Sequence, residues 1–319
     1  MNTSTPPSAG LRGLERLWAW LSNDDRYSRT PESDDAVDWL RSIPFWLFHL
    51  ACLGMIWTGA STAAVAFAAA SYWVRMFFVT AFYHRYFSHR AYTASRPMQF
   101  LFAVLGCTAG QRGPLWWAAH HRLHHGQADT SGDPHSPAHK GILYAHTLWF
   151  LTRSSFSAPQ QYIKDWRRFP ELVLLERFDW VPFVLYGAFC YGLGEWLGAA
   201  YGTNGAQFLI WGFFVSTTLL YHATYTINSL AHRYGSRRFD TRDNSRNNLW
   251  LALLTLGEGW HNNHHRYPSA ARQGFYWWEI DVSYWVLRLM SALSAVGELR
   301  PVPASVLAEA GEPRRRERR

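Results

Sequence analysis

The sequence predicts an all-helical integral membrane protein, in which four transmembrane helices form two hairpins beneath a cytoplasmic helical cap rich in histidine. Hydrophobic residues make up 48% of the 319 residues, and only 17% are charged, which is low for a soluble protein. The 18 tryptophans suit a membrane–water interface. The mean hydropathy of −0.20 nevertheless excludes a chain embedded wholly in lipid, so a large polar portion is expected beside the spanning helices.

The first hairpin is predicted from two adjacent apolar runs at residues 43–59 and 60–83. Each is close to the roughly 17–25 residues that span a bilayer, and small residues between them favour a turn. Arg75 interrupts the second run, and the favoured interpretation is a side chain that snorkels or faces protein. The alternative is a contact with the metal site or the substrate head. The preceding residues 1–42 are predicted to be a polar cytoplasmic segment with a short amphipathic helix at residues 14–21.

The second hairpin is predicted at residues 180–201 and 207–230, which are apolar and joined by a short glycine-containing turn. The apolar run at residues 99–109 is too short to span, so it is expected to be re-entrant or to pack on the membrane face. Residues 277–293 favour an amphipathic interfacial helix. Residues 294–319 are predicted to be a disordered basic tail.

Loop charges predict how the hairpins are oriented. Both inter-helix turns are short and uncharged, whereas the segments rich in His and Arg lie on the opposite side. The positive-inside rule therefore places those segments and both termini in the cytoplasm, with a multi-pass cell-membrane domain at residues 43–293. The net charge of +8 fits contact with anionic lipid, and no nucleic-acid-binding motif accompanies it.

Nine histidines in four short blocks carry the main chemical signal. The spacing H-x-x-H-H occurs twice, and on a helix it places three imidazoles on one face. The nine residues are His84, His89, His121, His124, His125, His232, His261, His264 and His265. Neutral imidazole binds iron, copper, zinc and nickel. Nine imidazoles exceed the four ligands of a zinc centre, so the pattern predicts a site for two metal ions.

The arrangement favours iron and oxygen chemistry on an apolar substrate, because the site is rich in nitrogen and lies beside apolar helices. Neither the Glu-x-x-His motif of carboxylate di-iron bundles nor the HExxH motif of zinc proteases is suitably placed. His84 and His89 are five residues apart, about 140° around an α-helix, so they share a site only if the helix ends between them. His120 is interpreted as a neighbouring or solvent histidine, and His135 as a residue that orients a ligand or loop.

Four histidine blocks resemble those of membrane fatty-acyl desaturases, and they are most similar to the stearoyl-CoA (delta-9) type. The blocks are HRYFSH at 84–89, HRLHH at 121–125, NSLAH at 228–232 and GEGWHNNHH at 257–265. GDPH at 132–135, HTLW at 146–149 and NSRNN at 244–248 match that type in the same order. The resemblance covers roughly residues 43–280.

The resemblance implies an acyl-CoA desaturase-type oxidoreductase that uses two iron ions (Fe2+/Fe3+) and dioxygen to introduce a cis delta-9 double bond. The nine histidines would bind the irons, Asn228 would hold a metal-bound water, and no catalytic residue separate from the metal centre is implied. Trp117 and Trp149 would line or close the channel for a long-chain acyl substrate. Small residues along 60–70 fit a channel floor and close helix packing equally well.

The sequence departs from the animal enzymes at Ala119 and His120, where those enzymes carry a charged pair near coenzyme A. Acyl-CoA is the favoured substrate, and acyl carrier protein or phospholipid are alternatives. Arg112 and Arg122 are the candidates for binding the anionic head. No fused cytochrome b5-like haem domain is expected, so electrons would come from a separate ferredoxin, cytochrome or reductase.

Three alternative functions remain open. A hydroxylase or an acetylenase would use the same di-iron core. A membrane metal-binding or transport protein would also be rich in histidine, but no acidic residue lies in the middle of a predicted span. A scaffold that binds metal only in order to fold is a further alternative.

Overall fold

The computed structural model describes residue 18, residues 21–23 and residues 35–310, and within this part of the chain no β-strand occurs. The α-helices are α1 (Trp39–Ala51), α2 (Met55–Thr58), α3 (Thr62–Phe77), α4 (Arg96–Cys107), α5 (Pro114–Gln127), α6 (Pro137–Lys140), α7 (Pro170–Arg177), α8 (Trp180–Tyr201), α9 (Gly205–Phe208), α10 (Ser216–Ser229), α11 (Leu249–Leu254), α12 (His261–Arg266), α13 (Val282–Ala292) and α14 (Ala304–Glu309). Stretches of π-helix are Phe78–Ser88, Tyr144–Leu148 and Leu209–Val215, and 3-10 turns are Cys52–Gly54, Trp149–Leu151, Ser154–Phe156 and Gln160–Tyr162. The prediction of an all-helical protein is confirmed for the described residues.

The first predicted hairpin is present as two helical runs, Trp39–Thr58 and Thr62–Ser88, which are long and apolar enough to cross a membrane. Gly59 ends the first run with a positive φ of 66°, a conformation that glycine adopts without steric cost. The Ser61 hydroxyl then accepts a hydrogen bond from Ala64 N and caps α3. Such an N-cap satisfies a backbone donor that the helix leaves free.

The residues of the second predicted hairpin form α8 and then the continuous helical run from α9 to α10. Neither run is among the two candidate membrane spans of the described residues, so this second membrane hairpin stays a prediction. Gly202 ends α8 in the left-handed conformation, and Asn204 caps α9 through Gln207 N at 2.9 Å. The two helices approach closely, because a Cβ on Gly194 would lie 2.6 Å from Asn204 O. Leu185 and Trp196 of α8 are 63% and 78% exposed. Apolar side chains of α8 are thus exposed on the surface of the described chain.

Arg75 is 1% exposed inside the helical bundle. Its guanidinium donates to the hydroxyls of Thr217 at 2.5 Å and Ser216 at 2.8 Å, and it lies over the Tyr186 ring at 4.6 Å. The favoured interpretation, a side chain facing protein, agrees with this position. The hydroxyl and carbonyl oxygens around it replace the water that a buried cation loses.

A π-helical stretch carries the chain out of the first hairpin. Between Phe78 and Ser88 the backbone bonds reach five residues back, and His89 N donates to His84 O at 3.3 Å. The wider turn of a π-helix brings residues i and i+5 together. The helix ends at Ser88, between His84 and His89, which meets the condition stated from α-helical geometry, and its last π-turn brings the two imidazoles together.

The N-terminus of α5 is fixed by a carboxyl group from another helix. Pro114 occupies the first turn, where its missing N–H costs nothing. The Glu176 carboxyl group of α7 accepts from Leu115 N at 2.8 Å and Trp116 N at 2.9 Å. Burial first, and then the charge of Asp179, raises the pKa of Glu176 to about 8.

The C-terminal part of the described chain differs from the predicted disordered tail. Residues 294–310 pack against the body: Gly297 N donates to Thr93 O, and Arg300 N donates to Ala91 O. Val306 of α14 joins a small buried cluster with Phe239 and Phe275. Residues 311–319 and most of the predicted helix at residues 14–21 lie outside the described residues.

Candidate metal centre

The nine predicted histidines meet in two neighbouring groups. Within each group the candidate ligand nitrogens lie within 4.8 Å of one another. The first group is His84, His89, His121, His125 and His264, and the second is His124, His232, His261 and His265. The two groups are adjacent, because consecutive residues of α12 belong to different groups.

Each H-x-x-H-H block contributes to both groups. On α5, the residues at i and i+4 belong to the first group and the residue at i+3 to the second. On α12 the division is reversed, so His264 alone joins the first group. The Nε2 atoms of His264 and His125 are 2.8 Å apart across the two helices. Packing the two blocks against each other therefore forms both groups at once.

The inward-facing atoms are all Nε2. In the first group, the Nε2 atoms of His84 and His264 are 3.0 Å apart, and those of His89 and His121 are 2.7 Å apart. In the second group, His232 and His261 approach to 3.0 Å. In each group several Nε2 lone pairs face one another. A bound metal cation stabilises such an arrangement because it accepts these lone pairs.

Four buried carboxylates accept hydrogen bonds from histidine Nδ1 atoms on the outside of the two groups. The sequence analysis did not predict these carboxylates as part of the site. His124 Nδ1 donates to Asp133 at 3.0 Å, and His265 Nδ1 donates to Asp243 at 2.9 Å. The other two pairs are His232 with Asp129 and His84 with Glu258.

A carboxylate accepts but does not donate, so each of these histidines carries its proton on Nδ1. The Nε2 lone pair then points into the group, which is the arrangement in which imidazole binds a metal.

The carboxylates are held in their charged form. Burial raises the pKa of Asp129, but the hydrogen bond from His232 outweighs it and the pKa falls to about 2. The pKa values of Asp133 and Asp243 are likewise lowered, since contacts with His124 and His265 outweigh their burial.

The donor set fits two iron ions. Imidazole nitrogens suit iron, copper, nickel and zinc, and five and four nitrogens leave room at each metal for further small ligands. No described cysteine lies in either group, so the set is not that of a thiolate zinc site.

A large cavity of about 500 Å³ runs from the first histidine group into the helical bundle. His121, Trp117 and Asn228 are among its lining residues, and Trp117 stacks on His121 with ring centroids 5.0 Å apart. Apolar side chains such as Phe48 and Phe183 line much of the rest. The cavity thus joins an apolar compartment to a metal-binding end.

The polar end of the cavity contains Asn23, Arg41, Arg112 and Asp179. The Arg112 guanidinium lies 3.5 Å from the Asp179 carboxylate and donates to a backbone carbonyl at 3.3 Å. A second cavity of about 380 Å³ adjoins this end and shares Arg112 with it.

The predicted substrate residues occupy different positions. Trp117, Trp149 and Arg112 line the large cavity. Arg122 is not among the residues that line it; its guanidinium donates to Asp165 at 2.9 Å and to Tyr162 O at 2.6 Å. A contact between Arg122 and substrate therefore stays a prediction.

Two further histidines border the site without joining either group. His120 lines the cavity and pairs through Nδ1 with Trp116 O at 3.0 Å. His135 stacks on His124 with ring centroids 4.3 Å apart. The orienting role expected of His135 stays a prediction, whereas its neighbour Asp133 accepts directly from His124 Nδ1, and the GDPH motif was the signal that could have located Asp133.

The fold and site define a helical protein with two adjacent histidine groups at the end of an apolar cavity. The chain belongs to the fatty acid desaturase family, whose model matches residues 57–294. The predicted family is thus confirmed, and two candidate spanning helices fit a membrane protein of lipid metabolism.

Several curated relatives cover most of the chain. An sn-2 palmitoyl-lipid 9-desaturase of Nostoc sp. (strain 36) is 34% identical over 261 residues, 80% of this chain and 87% of the relative. An acyl-CoA 5-desaturase of Anemone leveillei is 30% identical over 305 residues, 90% and 91% of the two chains. A hex-5-enoyl-[acyl-carrier protein] acetylenase of Moorena producens (strain JHB) is 31% identical over 303 residues, 87% and 92% of the chains. The family acts on fatty acyl chains, and these relatives differ in carrier and product.

Proposed function

We propose that the protein is an oxygen-dependent di-iron desaturase that introduces a cis delta-9 double bond into a long-chain acyl substrate. The observation that carries this proposal is the junction between the first histidine group and the apolar cavity at Trp117, His121 and Asn228. A methylene held there lies beside the metal centre and away from bulk water.

The two histidine groups are the proposed iron ligands, with Asn228 acting through a bound water. When bound, the irons would supply the activation of dioxygen and the removal of two hydrogens from the substrate. The protein holds four of its nine imidazoles in one tautomer through four carboxylates and positions the acyl chain in the cavity. Such positioning accounts for a large part of the rate in reactions at unactivated centres.

The acyl head is proposed to lie at the polar end of the cavity. Arg112 contributes positive charge there, and Arg167 and Arg177 line the adjoining second cavity. An anionic carrier fits this surface, and acyl-CoA, acyl carrier protein and phospholipid all supply phosphate groups. Acyl-CoA is the favoured carrier, and a separate ferredoxin, cytochrome or reductase is the proposed electron donor.

The proposed topology is four spans in two hairpins, with the metal centre and both termini in the cytoplasm. The exposed apolar side chains of α8, including Val184 and Phe189, support the second hairpin. The histidine groups lie where the first hairpin and α10 both end, which supports a single cytoplasmic cap.

Fatty-acid profiling tests the function directly. The wild type and the His261→Ala variant would be expressed with a matched electron donor in a host that lacks its own desaturase. His139→Ala is the matched control, since His139 is exposed and belongs to neither group. We expect a new monounsaturated acid from the wild type and the control, and none from His261→Ala.

A different product would change the proposed reaction. A hydroxylated or acetylenic acid would support the di-iron core but indicate hydroxylation or acetylenic-bond formation, and one relative is named as an acetylenase. Absence of any new product, in spite of membrane expression and an active donor, would contradict desaturation.

The carrier is tested by a second pair of variants. Arg112→Gln should raise KM several-fold with a smaller change in kcat, because Arg112 lines the cavity. Arg122→Gln should change KM little, because Arg122 is bound by Asp165. Equal effects of the two variants on KM would contradict this placement of the acyl head.

A further inference from the structure

An Arg-rich loop follows the second histidine group along the chain. It comprises residues 233–248, which connect His232 to α11, and we call it the basic loop. A two-way bridge closes the loop, since Ser236 N donates to Asn247 O at 2.9 Å and Asn247 N donates to Ser236 O at 2.7 Å. The two halves of the loop are therefore held side by side.

The basic loop carries more positive charge than its acidic residues balance. Arg238 pairs with Glu279, and Arg237 lies 3.7 Å from Asp240. Three other arginines form no ion pair with any described residue, and these are Arg233, Arg242 and Arg246. The first two of these three are exposed. A surface with unpaired positive charge attracts an acidic partner and speeds its encounter.

The basic loop also reaches two carboxylates that hold histidines of the second group. His232 Nδ1 donates to Asp129 Oδ2 at 2.9 Å, and the same oxygen accepts from Asn244 N at 2.7 Å. His265 Nδ1 donates to Asp243 at 2.9 Å, and Asp243 directly precedes Asn244 in the chain. Asn244 is exposed. Two short paths of covalent and hydrogen bonds therefore run from this surface residue to two imidazoles of the second group.

The basic loop is separate from the place proposed for the substrate. None of residues 233–248 lines the large cavity or the second cavity, whereas Arg112 lines both. Within the loop, Tyr234 is the one large apolar side chain that is exposed. A surface that binds lipid combines positive charge with an apolar face, so the loop fits a protein partner that is held mainly by charge.

We propose that the basic loop is the docking surface for an acidic protein that carries one electron at a time, and that electrons pass from it to the second histidine group beside Asn244. This inference rests on the proposed function, because it identifies the kind of partner that supplies the electrons. Electron transfer weakens steeply with distance and is favoured along covalent and hydrogen bonds, which the two paths provide. Complexes of electron carriers bury little surface, so a few exposed charges are sufficient for docking.

Desaturation fixes how many electrons the partner supplies. The balanced reaction is R–CH2–CH2–R′ + O2 + 2 e− + 2 H+ → R–CH=CH–R′ + 2 H2O. Two C–H bonds and the O–O bond break, a C=C bond forms, and oxygen is reduced to two water molecules. The carrier protein is oxidised by one electron in each of two encounters, and two protons come from solvent. A weak complex suits this sequence, because the first oxidised carrier must leave before the second can bind.

Charge reversal tests docking separately from catalysis. The whole chain would be placed in discs of phosphatidylcholine, and the binding of two acidic carriers, an oxidised plant-type ferredoxin and a soluble cytochrome b5, would be measured at low and high salt. We expect the double variant Arg233→Glu/Arg242→Glu to bind at least about tenfold more weakly than the wild type at low salt. Its binding should also depend less on salt, because fewer attractive charges remain to be screened.

The matched control is the double variant Lys164→Glu/Arg168→Glu. Both residues are exposed and lie outside the basic loop, and the two substitutions change the net charge by the same amount. The control should bind both carriers as the wild type does. Equal weakening in the two double variants would overturn the docking surface, because net charge alone would then explain the effect.

Other results would also overturn the docking surface. One is unchanged binding in Arg233→Glu/Arg242→Glu, and another is a wild type that binds neither acidic carrier at low salt. A third is a double variant that keeps its affinity for the carriers but loses affinity for vesicles containing phosphatidylglycerol, or for an acyl carrier protein. The loop would then bind lipid or the carrier of the substrate instead.

The rate of reduction tests electron entry in the iron-loaded protein. Reduced ferredoxin should reduce Arg233→Glu/Arg242→Glu at least about tenfold more slowly than the wild type. Dithionite is a small reductant that needs no docking surface, and it should reduce both equally. Equal rates with ferredoxin would overturn electron entry at the loop. If the wild type binds the carrier and is reduced by it but forms no unsaturated acid, the proposed function fails and the docking surface stands.

Discussion

The replacement of Asp133 by Asn gives a sharp test of how the protein holds its second proposed iron. The Asp133 carboxylate is 2% exposed and accepts from His124 Nδ1 through both oxygens at 3.0 Å. It also accepts from Asp129 N at 2.9 Å and from His135 N at 3.1 Å, one on each oxygen. An amide has only one acceptor oxygen, so its NH2 group must face a backbone N–H.

The expected loss of metal affinity follows from these contacts. Substituting a residue that orients a metal-bound histidine costs about 10–100-fold in metal affinity, which is about 1.4–2.7 kcal/mol. Asp133→Asn should approach the upper limit, because it removes a buried charge and also leaves a backbone donor unpaired. The loss of metal affinity should be largest in the second group, which contains His124.

Iron retention measures the effect. The purified wild type and variant would be dialysed against increasing chelator, and iron per chain would be measured together with helicity. We expect the variant to fall to about one iron per chain at a chelator concentration at which the wild type keeps two. Asp165→Asn is the control, because Asp165 pairs with Arg90 and Arg122 but with no imidazole of either group. An unchanged chelator midpoint in folded Asp133→Asn would refute this account of the carboxylate.

Three further outcomes are expected. The wild-type melting temperature should fall as pH rises from about 5 to about 8. In this range the buried Glu176, whose pKa is raised to about 8, stays protonated in the folded state, whereas it ionises in the unfolded state. Glu176→Gln should flatten this dependence in a thermal scan. Gly106→Ala should lower the melting temperature because its Cβ would lie 2.0 Å from the Tyr83 ring, whereas Gly192→Ala, with no atom within 4 Å, should leave it unchanged or raise it slightly. Chelation of both irons should lower the melting temperature, because a ligand that binds only the folded state stabilises it, and restored iron should reverse the shift.

The grouping of the histidines was predictable because helical spacing is visible in a sequence. The two H-x-x-H-H blocks put three imidazoles on one face of α5 and of α12, and the structure brings all nine histidines together. The division of each block between two groups was not predictable, because it depends on how the two helices pack. The five-residue interval from His84 to His89 was assessed with α-helical geometry, and no residue in that stretch identifies a π-helix.

The carboxylates behind the histidines were harder to predict. Asp129 and Asp133 follow α5 in a loop, and Asp243 lies in an Arg-rich loop. Loop residues have no periodicity that indicates their partners, so only the folded chain places them on Nδ1 atoms. Glu258 lies three residues before His261 but contacts His84, across 174 residues of sequence. Sequence patterns thus locate candidate metal ligands more readily than the residues that orient them.

The division of the histidine blocks has a mechanical consequence for the whole site. His264 and His265 are adjacent on α12 but belong to different groups, and His124 and His125 do the same on α5. A displacement of either helix therefore alters both groups. Arg85 strengthens this coupling, because it pairs with Glu258 and Asp281 and donates to Ala271 O at 2.8 Å. The π-helical exit of the first hairpin is thereby tied to the segment around α12, so the geometry of both proposed irons depends on one rigid assembly rather than on two independent sites.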